Sequence, residues 1–598
     1  MAKNNAAWQT VTIKPLSGAL DTRSTPEDVP LGTWRYKQNM MMKSGSTLCV
    51  RPGWEKLFAA ADPYTNYDLH DQGSLALPTP DREPPNVIFA AQNNAGAHFL
   101  YVATSTRIYV LDEATGIWTT IASGLTTATQ ARFKAAQLQE KIIFTNNVDQ
   151  PQGVTVGTPS AGPIPDLVSL GIQAAGVVVN FGAFMMLMDV NEGGLRHSSR
   201  IWWSDENLPF AWGIGGSSLS NFQDLDYGDA ILAAVPMAGS LYIFTQSAIW
   251  KCNPTGDALT VFAFTKVYGE PKAQAKCLVY PNTLVSLGNS VIYASHESFY
   301  EFSPYVPEPT RDEWLYRGAA LMFQGSGRAT PACCQTPSAE ARPLSDESNN
   351  DTDLEYWVSW PENPLDCVNS KTLVINTKYK SVDIVDFGFH TFSNYRPSVD
   401  DSDQCKSTNP LFIGASAGDD SLKSIGPIYS REVLTNPTGQ GTIVEGEYVP
   451  FTGEYAYVGY YSILRMMLPF VNYDRDKIIR NLLLEVHAED SAANNVIRMR
   501  VGNSFSESDP NLPDQKCAVL WHRLADRPLK CLDTMTPAQY VAANLIRNTG
   551  TNWPMLVRGR FLYFEVTIAA ANGDPAIGAA ACFTRAEWQT QLQPVTDY

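Results

Sequence analysis

The chain has 598 residues, of which 44% are apolar and 18% charged, and its 61 Asp and Glu against 44 Lys and Arg give a formal charge of −17. That length implies several domains, or one large repetitive fold with an appendage, and the apolar fraction excludes a disordered chain. The acidity argues against a protein that grips nucleic acid over its whole surface, which needs excess cation.

The first ten residues, MAKNNAAWQT, carry no apolar h-region, so no signal peptide is expected. Residues 1–60 are punctuated by Pro and Gly and hold Met40–Met42, which reads as an extended arm with short strands for assembly. From there the chain repeats. Six stretches (95–112, 137–156, 181–190, 237–253, 287–303 and 409–430) each pair a small or polar turn with an apolar strand, and most then show a polar link and a second strand. A seventh, looser copy spans 354–361 and 371–393. From Phe99 in the first to Leu411 in the last, the step is about 52 residues, close to the 40–50 of a four-stranded propeller blade. The first copy shows all four strands, at 86–92, 98–104, 107–112 and 116–122. One blade cannot bury both faces, but a ring of blades buries each against the next. The fold expected over 61–435 is therefore an all-β propeller of about seven blades, with six or eight also compatible.

The most apolar window, 174–188, is interrupted by Asn180 and Gly182 and is too short for a membrane helix; two buried strands joined at Asn-Phe-Gly are expected. The acidic stretches 338–355 and 396–404 read as surface loops, the first being a candidate gate by its length. Residues 436–598 carry longer strands, at 462–471, 477–489, 495–502 and 558–570. In the last, Phe561, Tyr563, Glu565 and Thr567 alternate with Leu562, Phe564, Val566 and Ile568, the pattern of a β-sandwich-like domain. One helix is expected at 536–548, with Thr536 as N-cap and Pro537 in its first turn.

Chemistry is sparse. The ten cysteines form no CxxC pair and no zinc spacing, and are expected to be mostly buried thiols from a reducing cytoplasm. The seven histidines make no chelating pair. Gly414-Ala415-Ser416-Ala417-Gly418 matches GxSxG, but a nucleophile elbow needs a helix after the serine, and DDSLKSIGPIYS reads as turn and strand. Ser204-Asp205 with Trp212 resembles the aspartate box of sialidase propellers in one copy with altered spacing, and such a box staples a hairpin. Asp400/Asp401 and Asp419/Asp420 are sequence neighbours, the usual mark of solvated loops. No catalytic, cofactor-binding or metal residue is assigned, and the expectation is a non-enzyme without cofactor.

The opening segment 15–57 carries Gly18, Pro26-Glu27-Asp28, Asn39 and Arg51-Pro52-Gly53-Trp54. It resembles the start of phage tail-nozzle proteins, the tail tubular protein B-like components of short-tailed phages. So do 200–213, 226–252, and the closing RGRFLYFEV with AACFTR (580–585). The resemblance implies a structural virion protein of the tail, made in the host cytoplasm. It would form a ring, usually of six copies, extending the DNA-ejection channel beneath a portal and adaptor and attaching tail fibres. Genomic double-stranded DNA would pass without specific binding, and no membrane segment would be needed. An acidic lumen would let the duplex slide, since six copies carry about a hundred negative charges. A receptor- or glycan-binding propeller at the tail tip is the alternative, with Trp202, Trp203, Tyr356, Trp357 and Trp360 stacking on sugars. A capsule-degrading glycosidase or lyase is a third reading. A cellular WD-repeat scaffold is a fourth, disfavoured by the absence of WD and GH signatures.

Overall fold

The computed structural model describes the strand-bearing parts of 8–56, nearly all of 85–395, and the stretches 411–416, 428–431, 462–467, 477–490, 495–504, 519–528, 545–546, 550–570 and 580–592. Its core is a ring of seven antiparallel blades. Blade one is Val87–Gln92, His98–Ala103, Arg107–Asp112 and Ile117–Ser123, within a residue or so of the strands read from the sequence. Blades two, three and four run from Lys134 to Pro163, Ile172 to Asp224 and Ile231 to Tyr268, each a four-stranded meander. Blade five has three described strands, Val285–Ser286, Val291–Ala294 and Phe299–Phe302. Blade six is Ser338–Ser345, Thr352–Trp360, Lys371–Asn376 and Ser381–Val385. Blade seven takes Phe389–Tyr395, Leu411–Ser416 and Ile428–Arg431 from late in the chain and Trp54–Lys56 from the arm.

Burial explains closure. Middle strands such as Ser240–Thr245 are buried along their whole length, as a strand must be when both faces of its sheet are covered. Each pair of neighbouring blades shares an apolar cluster. Tyr101 and Ile108 of blade one meet Ile142 and Phe144 of blade two. Leu241 and Trp250 of blade four meet Met186 and Ile201 of blade three. The last interface is built the same way: Ile88, Leu100 and Tyr109 of blade one pack with Tyr395 and Ile413 of blade seven. The first strands of successive blades also neighbour one another around the whole circle.

The arm does not stand apart. Trp34–Gln38 lies beside blade six, parallel to Ser381–Val385 with Gln38 opposite Ile384, and antiparallel to Ser462–Met467 on its other side. One sheet thus runs from blade six through the arm into Phe561–Ala570 and Asn495–Ser504. A second sheet contains Gln9–Ile13, Met40–Lys43 and Thr47–Val50 together with Lys477–Asp490, Gly550–Gly559 and Ala580–Leu592. The two sheets face each other over Trp34, Phe564, Val566, Ile479, Trp553 and Trp588, in a core continuous with blades five and six.

Several expectations are corrected here. The described parts of the acidic stretch 338–355 are strand rather than loop: Ser338–Ser345 and Thr352–Trp360 form the antiparallel hairpin at the inner edge of blade six, and Glu355 is buried; 346–351 lies outside the described residues. The Glu355 carboxylate is neutralised by arginines, so charge was no guide to exposure. The single strand read at 558–570 is two, because the chain passes at Arg560 from one sheet to the other. Phe561, Tyr563 and Glu565 are buried as well as the opposite face, Glu565 through an ion pair with Arg500. The window at 174–188 is the expected strand pair, Ile172–Phe181 and Phe184–Glu192, turning through Gly182 with φ +60°. The loop 396–404 and most of the helix expected at 536–548 lie outside the described residues; Leu545–Ile546 is a short strand. Cysteines depart from the expectation too. Cys333 and Cys367 are disulfide-bonded with Cα atoms 5.4 Å apart, and Cys49 is also disulfide-bonded. Spacing along the chain hides such pairs, because the bond joins the entry to blade six with a connection within it. Cys252 and Cys277 are buried thiols outside any disulfide, pushed up to about 12 and about 11 by burial.

Candidate functional site

Two polar constructions stand out against the apolar blades: a clasp between arm and ring, and the propeller axis.

The clasp is built on Arg51, at the point where the chain leaves the sandwich strand Thr47–Val50 for the blade strand Trp54–Lys56. Its Nη1 donates to both oxygens of Glu355, at 3.0 and 2.9 Å, and its Nε donates to Asp383 Oδ2 at 3.2 Å. Nη2 donates to the Met40 carbonyl at 3.1 Å, and the guanidinium lies 5.0 Å from the Trp357 ring centroid. Glu355 accepts further bonds from Arg342 and from Trp357 Nε1. Asp383 accepts from the Met40 N–H at 2.8 Å, and Lys37 Nζ donates to Ser381 Oγ at 2.8 Å. Asn39, with φ +56°, turns the arm between its two strands. The charges answer to this setting. Burial pushes Asp383 up to about 7 against the pull of Arg51 and Lys37. Burial likewise brings Lys37 down to about 8. For Glu355 burial pushes upward, but Arg51 and Arg342 outweigh it and hold the carboxyl below its usual range. The Arg-Pro-Gly-Trp motif thus begins with a bidentate arginine that binds the arm to blade six, which the sequence marked only as part of a resemblance.

The axis is crossed by cations. Arg132, entering blade two, donates to the carbonyls of Asn86 at 3.4 Å, Thr336 at 2.8 Å and His390 at 2.7 Å, at the entries to blades one, six and seven. Its Nη2 also meets His390 Nδ1 at 3.3 Å. Burial, then Arg132, brings His390 down to about 3, so its ring is neutral near pH 7. Lys134 reaches from blade two past blade three to the Leu232 carbonyl of blade four, at 3.1 Å. Asp189, at φ +56°, holds Arg196 at 2.7 and 2.6 Å. Gly388 lets blade seven enter against blade six: a Cβ there would lie 2.1 Å from the Asn369 carbonyl. The DNA duplex, whose major groove alone is about 12 Å wide, cannot thread an axis spanned by single side chains. These residues sit in ARFKAAQL, where cations alternate with Phe133 and Ala135; that alternation at the start of an innermost strand was the available signal.

The motifs weighed from the sequence fall elsewhere. Gly414, Ala415 and Ser416 close the strand Leu411–Ser416, with Gly414 and Ala415 paired to both neighbouring strands and Ser416 opposite Phe389; the segment after Ser416 lies outside the described residues. Ser204 and Asp205 staple a turn of blade three: the Ser204 hydroxyl accepts from the Met185 N–H at 3.0 Å, and Asp205 Oδ1 accepts from the Glu206 and Leu219 N–H groups, each at 2.9 Å. Trp202, Trp203, Tyr356, Trp357 and Trp360 are all buried, so none offers a face to a sugar. Asp400/Asp401 and Asp419/Asp420 lie outside the described residues. Among the described residues, no group of three or more His, Cys, Asp or Glu is placed to hold a metal, and no helix is long and apolar enough to cross a membrane.

The chain is a β-propeller protein with a fused β-sandwich. No protein-family model matches it, and no curated protein matches it. Among solved structures it is similar to the Pan2 WD40 domain of Neurospora crassa, at 8% identity over 66% of this chain and 98% of that one, TM-score 0.35. It is also similar to BBS1N, solved in complex with ARL6DN, at 10% identity over 64% and 99%, TM-score 0.33. The computationally designed Ika8 protein matches at 10% identity over 50% and 69%, TM-score 0.27.

Proposed function

We propose that this propeller is a structural, non-enzymatic component of a phage tail. It forms a ring of copies, six by the resemblance, that extends the DNA-ejection channel and joins the adaptor–portal complex above and tail fibres outside. The observation that carries this reading is the position of the segment 15–57, whose text resembles the tail-nozzle proteins. Its residues include the arginine and strands that join ring to sandwich, so the resemblance falls on the feature that defines this architecture. Because the propeller axis is spanned by Arg132 and Lys134, the conduit in this reading lies between copies, walled by the outer surfaces of a chain whose formal charge is −17. Such a wall repels phosphate rather than collecting it with counterion release.

Light scattering of the purified chain, alone and mixed with portal–adaptor particles, tests the reading, with negative-stain averages of the product. The expected result is a six-fold ring, either free or formed on the particles. A stable trimer, or a monomer that ignores the particles and binds cell-surface glycan, overturns it.

A further inference from the structure

The propeller axis holds more positive than negative charge. Arg132, Lys134 and Arg196 line one cavity of about 290 Å³ with a single carboxylate, Asp189. Both oxygens of Asp189 are already engaged by Arg196. Neither Arg132 nor Lys134 has a carboxylate within ion-pair distance among the described residues. Arg132 is satisfied by carbonyls, but carbonyls do not cancel its charge, and a guanidinium does not lose its proton in a protein. Among the described residues Lys134 donates one hydrogen bond, to Leu232, and an ammonium has three to give. Both side chains are half-buried; burial pulls Lys134 down to about 8 and Arg132 down to about 10, with Asp189 acting in the opposite direction on Lys134. Like charges gathered around one cavity repel each other, and a bound counter-charge relieves that repulsion. The cavity is polar and has room. It abuts a second, more open space of about 640 Å³ that shares Arg196, Leu232 and Gln335 with it, which gives a small solute a way in.

We infer that the axial cavity is a binding site for one small oxyanion of phosphate size, held by Lys134 with the charge of Arg132 behind it and Arg196 and Gln335 on the wall. The anion ties blade two to blades four, six and seven through the groups that already bridge them, and so acts as a pin at the hub of the ring. This inference is independent of where the protein acts, and stands or falls separately from the tail assignment.

The test is calorimetric titration of the full chain with inorganic phosphate in chloride buffer at constant ionic strength. The expected result is one saturable site per chain, with Lys134→Met weakening it at least tenfold and Lys134→Arg keeping it within a few fold. Gln335→Glu, which adds an acid to the same wall, provides a second variant should Lys134→Met fold poorly, and it too is expected to weaken binding at least tenfold. Absence of a saturable site in the wild type, or unchanged affinity in whichever of these two variants folds, overturns the assignment.

Discussion

Arg51 shows how one side chain can hold an arm to a ring. It meets two buried carboxylates, a carbonyl and an indole face, and lysine could not reproduce the bidentate fork. Removing it leaves buried Glu355 with Arg342 alone and buried Asp383 without its ion-pair partner, and breaking a buried pair in this way costs about 3–5 kcal/mol. Arg51→Met is therefore expected to lower the urea midpoint strongly, with Arg51→Lys recovering less than half of the loss; a variant as stable as the wild type would remove the clasp from the account. Asp383 adds a pH signature. Its folded value, about 7, lies above the usual value near 3.9, so the folded chain keeps a proton that the unfolded chain has released. The stability from that proton is complete below about pH 4 and lost as pH rises through about 7. Relative to Asp383→Asn, which cannot titrate, the wild type should lose stability over that range. Parallel curves for the two proteins would contradict this.

At the scale of elements, blade six carries the heaviest demands. It belongs to the ring, it extends into the sandwich sheet, and Cys333–Cys367 staples its entry to an internal connection. A loop of 34 residues closed by a disulfide contributes about 3–4 kcal/mol in the chain-entropy account. Reductant should lower the melting temperature of the wild type more than that of a Cys333→Ala/Cys367→Ala double variant, which keeps the disulfide at Cys49, and once both are reduced their melting temperatures should match. The blades themselves were legible because their strands carry apolar runs bounded by Gly, Asn and Ser turns, so that blade one could be read to within a residue or so. Blade six was not. Its first hairpin is written with Glu340, Asp353 and Glu355, and charge in a strand becomes tolerable only when a partner such as Arg51, some 300 residues away, comes to meet it. The strand break at Arg560 was hidden for a related reason: apolar and polar positions alternate straight through it, while the change of sheet is set by tertiary pairing. The axial cations went unremarked because Arg132 and Lys134 look like ordinary solvated residues until the ring closes around them.

For the molecule as a whole, the arm decides when folding can finish. Gln9–Ile13 and Thr47–Val50 pair with Ala580–Leu592, and Trp54–Lys56 pairs with Ile428–Arg431. At about 5–20 residues per second, the first strands made wait roughly half a minute to two minutes for the last to emerge from the ribosome. Blades one to four need only their own hairpins and can form at once. Ring closure comes next, and the sandwich comes last. Throughout that interval Gln9–Ile13 and Thr47–Val50 lack Ala580–Leu592, Trp34 lacks the Phe564 ring it packs against, and an open apolar edge invites pairing with another nascent chain. The same N-terminal strands that join ring to sandwich are thus, during synthesis, the part of the protein most in need of a chaperone.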